Sequence, residues 1–445
     1  RRQRQMCIRD RMHGVVACGP DLEPVRPAVL WSDRRSEPDL AQLRDGIGPE
    51  LAARLANPVV AGMAGPSLAA LRRLEPDLVD RIERVLQPKD WVRAHLTGDV
   101  ATDPTDASAT LLWDLPGDHW SDDAGAVFGV PSSWLAPVVG STEPAGRLHQ
   151  DGATRLGLVP GVPVAVGAAD TAAALLGAGL SAGETQLSTG TGGQLARLVD
   201  EPLVDRSGRT HLYRAVGARW YAMAAIQNAG IAIDWAMGLL GAGPAEIEAT
   251  MLAGGPVGAV RAGAGRAGGG GAGEEITFLP YLTGERTPHL DASLTGRWLG
   301  LRSGTTRAAL IRSVFEGVAL ALRDGLEALR SAGHPIDRAL LAGGGSVAPW
   351  WRQLLADTLD LSLVPHDAAD ASVRGAGLLA WSSIEVDIDP AATVTRAAAI
   401  EPSAAGVDRM ARARDRFLAA GPSGSGPTGP VSPLRGGGLG VIEGR

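Results

Sequence analysis

The sequence predicts an α/β protein of two or three domains. Two observations carry this. The chain has 445 residues, more than one ordinary hydrophobic core accommodates. Its short apolar runs end repeatedly at glycine-rich turns, several of them followed by segments of helical spacing. Units of that kind build parallel or mixed sheets with ligands at the turns.

The elements follow in order. Residues 15–18 and 28–31 are apolar runs around Gly19-Pro20-Asp21 and predict a β-hairpin. Residues 36–55 carry leucines at helical spacing. Residues 66–86 form one stripe of Leu68, Leu71, Leu74, Leu78, Ile82 and Leu86, which predicts a long helix. Residues 88–96 predict another helix, ending near Gly98. Residues 163–166 read as a buried strand, Gly167 as a turn and residues 171–176 as a helix. Residues 185–187 and 194–198 flank the turn Gly190-Thr191-Gly192-Gly193. Residues 226–240 and 307–329 have helical patterns. Residues 339–341 read as a buried strand that runs into Gly343-Gly344-Gly345 and then a helix over 349–359. Residues 263–273 are nearly all Gly and Ala and predict a flexible loop. Residues 421–445 predict a disordered tail.

Composition excludes several classes. Hydrophobic residues make up 45% and charged residues 20%, which is globular. No apolar run approaches the length of a membrane span, so no membrane partner is expected. The formal net charge of -7 argues against a basic face for nucleic acid. Two cysteines, Cys7 and Cys18, exclude a disulfide framework and fit a reducing, cytoplasmic setting. Lys89 is the single lysine, so a phosphate site must use backbone amides, hydroxyls, arginine or metal. Residues 1–11, RRQRQMCIRDR, have no apolar core and are not a secretion signal; they read as a leader foreign to the fold.

Five constellations could carry chemistry, each with a plainer alternative. Asp170, in Gly167-Ala168-Ala169-Asp170-Thr171, is either a base facing a cleft or a helix N-cap. Gly190, Thr191 and Gly192 form either a phosphate loop or a tight hairpin. Gly343, Gly344, Gly345 and Ser346 either admit a flat ligand or make a packing turn; their spacing is neither a Walker loop nor a dinucleotide fingerprint. Met12 and His13, with Trp31-Ser32-Asp33-Arg34-Arg35, offer convergent groups for a polyhydroxylated ligand or are surface features. Gly284-Glu285-Arg286-Thr287-Pro288-His289 lines a cleft or is a solvated loop. Trp350-Trp351 is a stacking platform or core.

Taken in order, these pieces resemble the FGGY family of carbohydrate kinases, and within it the xylulokinases. Met12-His13-Gly14 with Trp31 to Arg35 looks like the sugar-contacting strands, with Ser32 where Asn is usual. Pro88-Lys89-Asp90-Trp91, Leu96-Thr97-Gly98, Thr102-Asp103 and Asp106-Ala107-Ser108 are similar to the first domain's signature run. Phe278 to His289 resembles the "FLPYL.GERTPH" segment. Residues 296–316 resemble the second family signature, with Ala309 in place of its usual polar residue, and 343–357 resemble the adenosine motif.

The resemblance implies two ribonuclease H-like domains closing over a cleft. The first would span 12–160 and bind sugar; the second would span 161–420 and bind ATP; 421–445 would be tail. It implies ATP and Mg2+ as cofactors and D-xylulose as the substrate phosphorylated, with Asp170 as general base. Met12, His13 and Asp33 would hold the sugar, Gly190, Thr191 and Gly192 the phosphates, and Gly343 to Ser346 the adenosine. The metal's ligands are not implied, and a homodimer is compatible. Another FGGY kinase acting on gluconate, ribulose or glycerol, or a non-catalytic sugar- or nucleotide-binding remnant, stays open. The family's opening Asp-x-Gly-Thr loop does not stand before Met12. The expectation is therefore a first domain lacking roughly 60 residues, three strands and a helix of ordinary length, unstable by itself and with little or no kinase activity.

Overall fold

The computed structural model describes residues 12–253, 276–367 and 370–422. The expected leader, the whole of the Gly/Ala loop and nearly all of the tail lie outside these residues. The centre is a mixed six-stranded sheet in the order Ser362–Pro365, Arg338–Ala342, Thr185–Thr189, Gly193–Val199, Trp220–Ile226 and His211–Arg214. The first three strands are mutually parallel and the remaining pairs are antiparallel.

Side chains alternate along each strand, so the sheet has two buried faces. On one face Ala222, Ala224 and Ile226 join Leu195, Leu341 and Leu363 beneath the helices Arg307–Ser331 and Pro349–Leu359. Gly193 and Gly325 let the long helix lie close: a Cβ on Gly193 would meet Leu322 at 2.3 Å, and one on Gly325 would meet Ile226 at 2.6 Å. On the other face Tyr221 and Met223 join Tyr213, Leu198 and Leu340. That face packs against Met12, Val15, Leu68, Ala169, Ala172 and Leu175. The first part of the chain therefore shares a core with the sheet.

Several sequence expectations hold. The helix Pro88–Thr97 ends at Gly98, whose φ of 81° suits glycine. The hairpin around residues 190–192, the strand Arg338–Ala342 and the helix Pro349–Leu359 stand where expected.

Others are corrected. The strand Val16–Cys18 pairs along its length with Arg84–Leu86, and the expected hairpin is reduced to two isolated antiparallel bridges, Val15–Val29 and Cys18–Pro24, with no second strand. The stripe over 66–86 is broken. Its helix is Ala64–Leu74, Glu75 leaves helical geometry before Pro76, and Arg84–Leu86 is a strand. Ile226 closes the strand Trp220–Ile226, and the helix starts only at Gly230. The strand Pro163–Ala165 is half-buried, not buried, and pairs with Pro144–Arg147 alone.

The helix Asp170–Gly177 packs on the helix Ala371–Ser382 through two glycines. A Cβ on Gly177 would fall 1.9 Å from the Ala371 carbonyl oxygen, and one on Gly375 would fall 1.9 Å from that of Ala173. Gly375→Ala should therefore cost about 1–3 kcal/mol through overpacking. Gly377, on the same helix with nothing within 4 Å of its missing Cβ, is the control: Gly377→Ala should gain about 0.5–1 kcal/mol. Urea unfolding midpoints of the two variants should move in opposite directions.

Candidate active site

Asp170 is the first residue of its helix, directly after the turn through Gly167. Its Oδ1 accepts the backbone N–H of Thr171 at 2.6 Å. The four preceding residues are held at several points. Val166 N–H donates to Glu143 O at 2.9 Å and Gly167 N–H to Ser141 O at 3.2 Å. Val166 O accepts Arg93 at 2.7 Å. Ala169 N–H donates to the Thr105 hydroxyl at 2.7 Å.

The clamps from Arg93 and Thr105 belong to a buried ionic cluster. Lys89 Nζ lies 2.7 Å from Asp90, 2.9 Å from Asp103 and 3.2 Å from Asp106. Arg93 pairs with the same Asp90 oxygen at 2.7 Å. Burial alone would push the Lys89 ammonium down. The charges of Asp103, Asp90 and Asp106 outweigh it and hold the group above the ordinary lysine range. Burial also drives the Asp106 carboxyl up to about 7, against the pull of Lys89.

Met12 is buried, and its sulfur lies 3.8 Å from the Tyr221 hydroxyl. Tyr221 is fully buried. Burial first, then the charges of Tyr213, Asp170, Asp106 and Asp103, raise its phenol well above the usual range. His13 is half-buried; its Nδ1 lies 2.9 Å from Ala109 O, and its ring is tilted at 5.9 Å from Tyr213. Tyr213 in turn stacks on His211 and bonds its Nδ1 at 2.9 Å. Met12 and His13 thus meet one buried aromatic wall, whose core cluster also includes Ala169, the residue before Asp170. Asp33 is placed differently: its carboxylate is engaged by Arg35 at 2.6 Å and is held below the usual range by that bond.

The wall was not legible in the sequence. Tyr213, Tyr221 and Tyr281 are the three tyrosines of the chain, and all three are buried. Their scarcity together with placement in apolar runs is the one signal that could have singled them out.

The segment from Gly284 to His289 is not a solvated loop. Glu285 is buried and accepts the N–H groups of Gln227 at 2.6 Å and Arg286 at 2.8 Å, while burial raises its carboxyl. The Thr287 hydroxyl donates to Arg209 O at 3.0 Å. Arg286 lies over the Trp31 ring at 5.2 Å, which joins this segment to the Trp31–Arg35 turn.

The two glycine turns meet. Gly343 has φ 97°, and its Cβ would fall 2.3 Å from Thr189 O; that of Gly345 would fall 3.1 Å from the same atom. The carbonyls of Gly190 and Thr191 accept the first N–H groups of the helix Gly230–Leu240. The missing Cβ positions of Gly190 and Gly344 face open space, apart from one carbonyl 4.0 Å from the first. Between the turns, Thr189 Oγ1 is buried without a hydrogen-bond partner. Exposed glycines beside an orphaned hydroxyl suit a phosphate-bearing ligand. Ser346 turns inward: its hydroxyl donates to Gly343 O at 2.8 Å and shapes the turn. Trp351 is core, and Trp350 stands edge-on to Phe315 at 5.0 Å. Among the described residues no three His, Cys, Asp or Glu side chains are grouped to hold a metal. Nor is any described helix long and apolar enough to cross a membrane.

Comparison with known proteins gives consistent matches. Residues 4–177 match the N-terminal domain of the FGGY family of carbohydrate kinases, and residues 186–384 match its C-terminal domain. The xylulose kinase of Bacillus subtilis is 31% identical over 372 residues, covering 83% of this chain and 72% of that protein. The gluconokinase of the same organism is 27% identical over 372 residues, with the same shares. A crystal structure of a "xyloylose kinase" from Brucella ovis superposes with a TM-score of 0.81 at 32% identity, covering 92% of this chain and 82% of that one.

Burial, with the charges of Arg286 and His13, lowers the His211 imidazole from 6.5 to about 3. The unfolded chain binds this proton near pH 6.5 and the folded chain does not, so the contribution to stability is whole above pH 6.5 and is lost as pH falls towards 3. Between pH 7 and pH 5 this group should remove about 2 kcal/mol of unfolding free energy. Urea titrations should show His211→Gln losing correspondingly less; equal losses in both proteins would take His211 out of the account.

Proposed function

Since the chain belongs to the FGGY family of carbohydrate kinases, we propose that it phosphorylates the terminal hydroxyl of D-xylulose, giving D-xylulose 5-phosphate. The observation that carries the reading is a shared buried core: Met12 lies 3.8 Å from the Tyr221 hydroxyl, and both pack in one cluster with Ala169, the residue before Asp170. A ketose held by Met12 and His13 thereby comes within reach of one carboxylate. The similarity to xylulose kinases favours this sugar over gluconate.

ATP supplies the transferable phosphoryl group. Gly190, Thr191 and Gly192 hold its phosphates and Gly343 to Gly345 border its adenosine, a role supported by the open glycine faces and the orphaned Thr189 hydroxyl. Mg2+ would offset charge on the phosphates, and no three described His, Cys, Asp or Glu side chains are grouped to hold it. The chain does the rest. Asp170 takes the proton of the sugar hydroxyl, and the freed oxygen attacks the γ-phosphorus in line, expelling ADP. Positioning and exclusion of water, which competes as acceptor, supply most of the rate. Asp33, paired with Arg35 here, binds the sugar only after that pair opens.

An assay coupled to ADP release, run with D-xylulose, gluconate, ribulose and glycerol on the chain joined at its front to a xylulose kinase's opening segment with its Asp-x-Gly-Thr loop, tests this. The expected result is turnover with D-xylulose, lowered about 10²–10⁴-fold by Asp170→Asn with sugar binding retained. Turnover with gluconate alone would sink the xylulose assignment. Binding without turnover of any sugar would sink the kinase reading and favour a non-catalytic remnant.

A further inference from the structure

We propose that Thr105, oriented by Asp103 and Lys89, is a positioning residue for Asp170. This rests on the reading of Asp170 as the base. Thr105 lies 64 residues before Ala169 in the sequence and is fully buried. Its hydroxyl has two jobs. It donates to Asp103 Oδ2 at 2.6 Å and accepts the Ala169 N–H at 2.7 Å. The direction of the first bond is forced, because a carboxylate only accepts. The oxygen lone pairs are therefore turned towards Ala169, the residue immediately before Asp170.

Asp103 is itself fixed. The same Oδ2 accepts the Thr105 N–H at 2.9 Å and the Ser141 hydroxyl at 2.8 Å, and Oδ1 lies 2.9 Å from Lys89 Nζ. Ala169 is extended, with φ -54° and ψ 148°, and no side chain caps the helix that follows. The Thr105 bond is thus the side-chain tether that sets the peptide plane at this N-terminus. The neighbouring bonds at Val166 and Gly167 end at the 166–167 peptide, two before the 168–169 peptide that Thr105 holds. A base must be held within a fraction of an ångström of its proton, and a misplacement of about 1 Å can cost about 10²-fold in rate.

The test is a graded series. Thr105→Ser keeps the hydroxyl, Thr105→Val keeps the shape without it, and Thr105→Ala serves if the Val variant does not fold. The expected result is a kcat lowered about 10–100-fold in the Val or Ala variant, with KM for sugar and for ATP changed less than about threefold. The Ser variant should return to within a few-fold of the parent chain. Hydrogen exchange of the peptide containing Ala169 should quicken in the Val or Ala variant and stay slow in Ser. Unchanged exchange or unchanged kcat in a folded Val or Ala variant overturns the proposal, as does a Ser variant as impaired as Val. The kinetic arm uses the chain joined at its front to the Asp-x-Gly-Thr segment, and no turnover in that parent fails the kinase reading instead. The two failures are told apart because exchange is read without substrate.

Discussion

The ammonium group of Lys89 sits among three carboxylates in the interior of the first domain, and the geometry of the site follows from that placement. A buried carboxylate without a partner is costly, and three together repel one another. Lys89 and Arg93 bring them into one cluster, which then holds other groups by charge-assisted bonds. Asp103 orders Thr105 and Ser141. Arg93 reaches the carbonyls of Val166 and Ala101. Through these bonds, charges on the helix Pro88–Thr97 and the short helix Pro104–Ala107 fix a turn more than sixty residues further on.

This explains why the lysine is there. Lysine and arginine together number 42, and Lys89 is the single lysine among them. Wherever a basic side chain lies on the surface, arginine serves. At this point the need is for a compact charge with three donors that can meet three carboxylates arranged around it. A guanidinium is a flat fork matched to one carboxylate at a time, and Arg93 uses its fork in that way, dividing it between Asp90 and backbone carbonyls.

What could be read in the sequence was whatever a single stretch of chain decides. The glycine turns at 190–193 and 343–345 were legible because close approach excludes a Cβ at Gly192, Gly193 and Gly343, and Gly98 because a helix ends there in left-handed geometry. Residues 220–240 were not, because a strand buried on both faces and the helix after it are equally apolar, and periodicity does not separate them. The pairing of Val16–Cys18 with Arg84–Leu86 depends on residues nearly seventy positions apart. The aromatic wall of His13, His211, Tyr213 and Tyr221 is likewise assembled from distant segments. The runs containing Lys89, Asp90, Asp103 and Asp106 were visible as a signature, but that they close on one another is a fact of packing.

The cluster also has to be quiet. A clamp of unbalanced negative charge beside Asp170 would oppose its ionised form, the form a base needs when the sugar arrives. Two cations face three carboxylates here, which leaves one negative charge over. Burial raises the Asp106 carboxyl against the pull of Lys89, which favours its neutral form and lessens the surplus. Tyr221, which lies within the field of Asp170, Asp106 and Asp103, remains a neutral phenol and adds no charge. The stiffness of an ionic network is thereby obtained with little net field at the turn it supports. That balance would let buried charges position Asp170, the proposed base, without suppressing its ionised form.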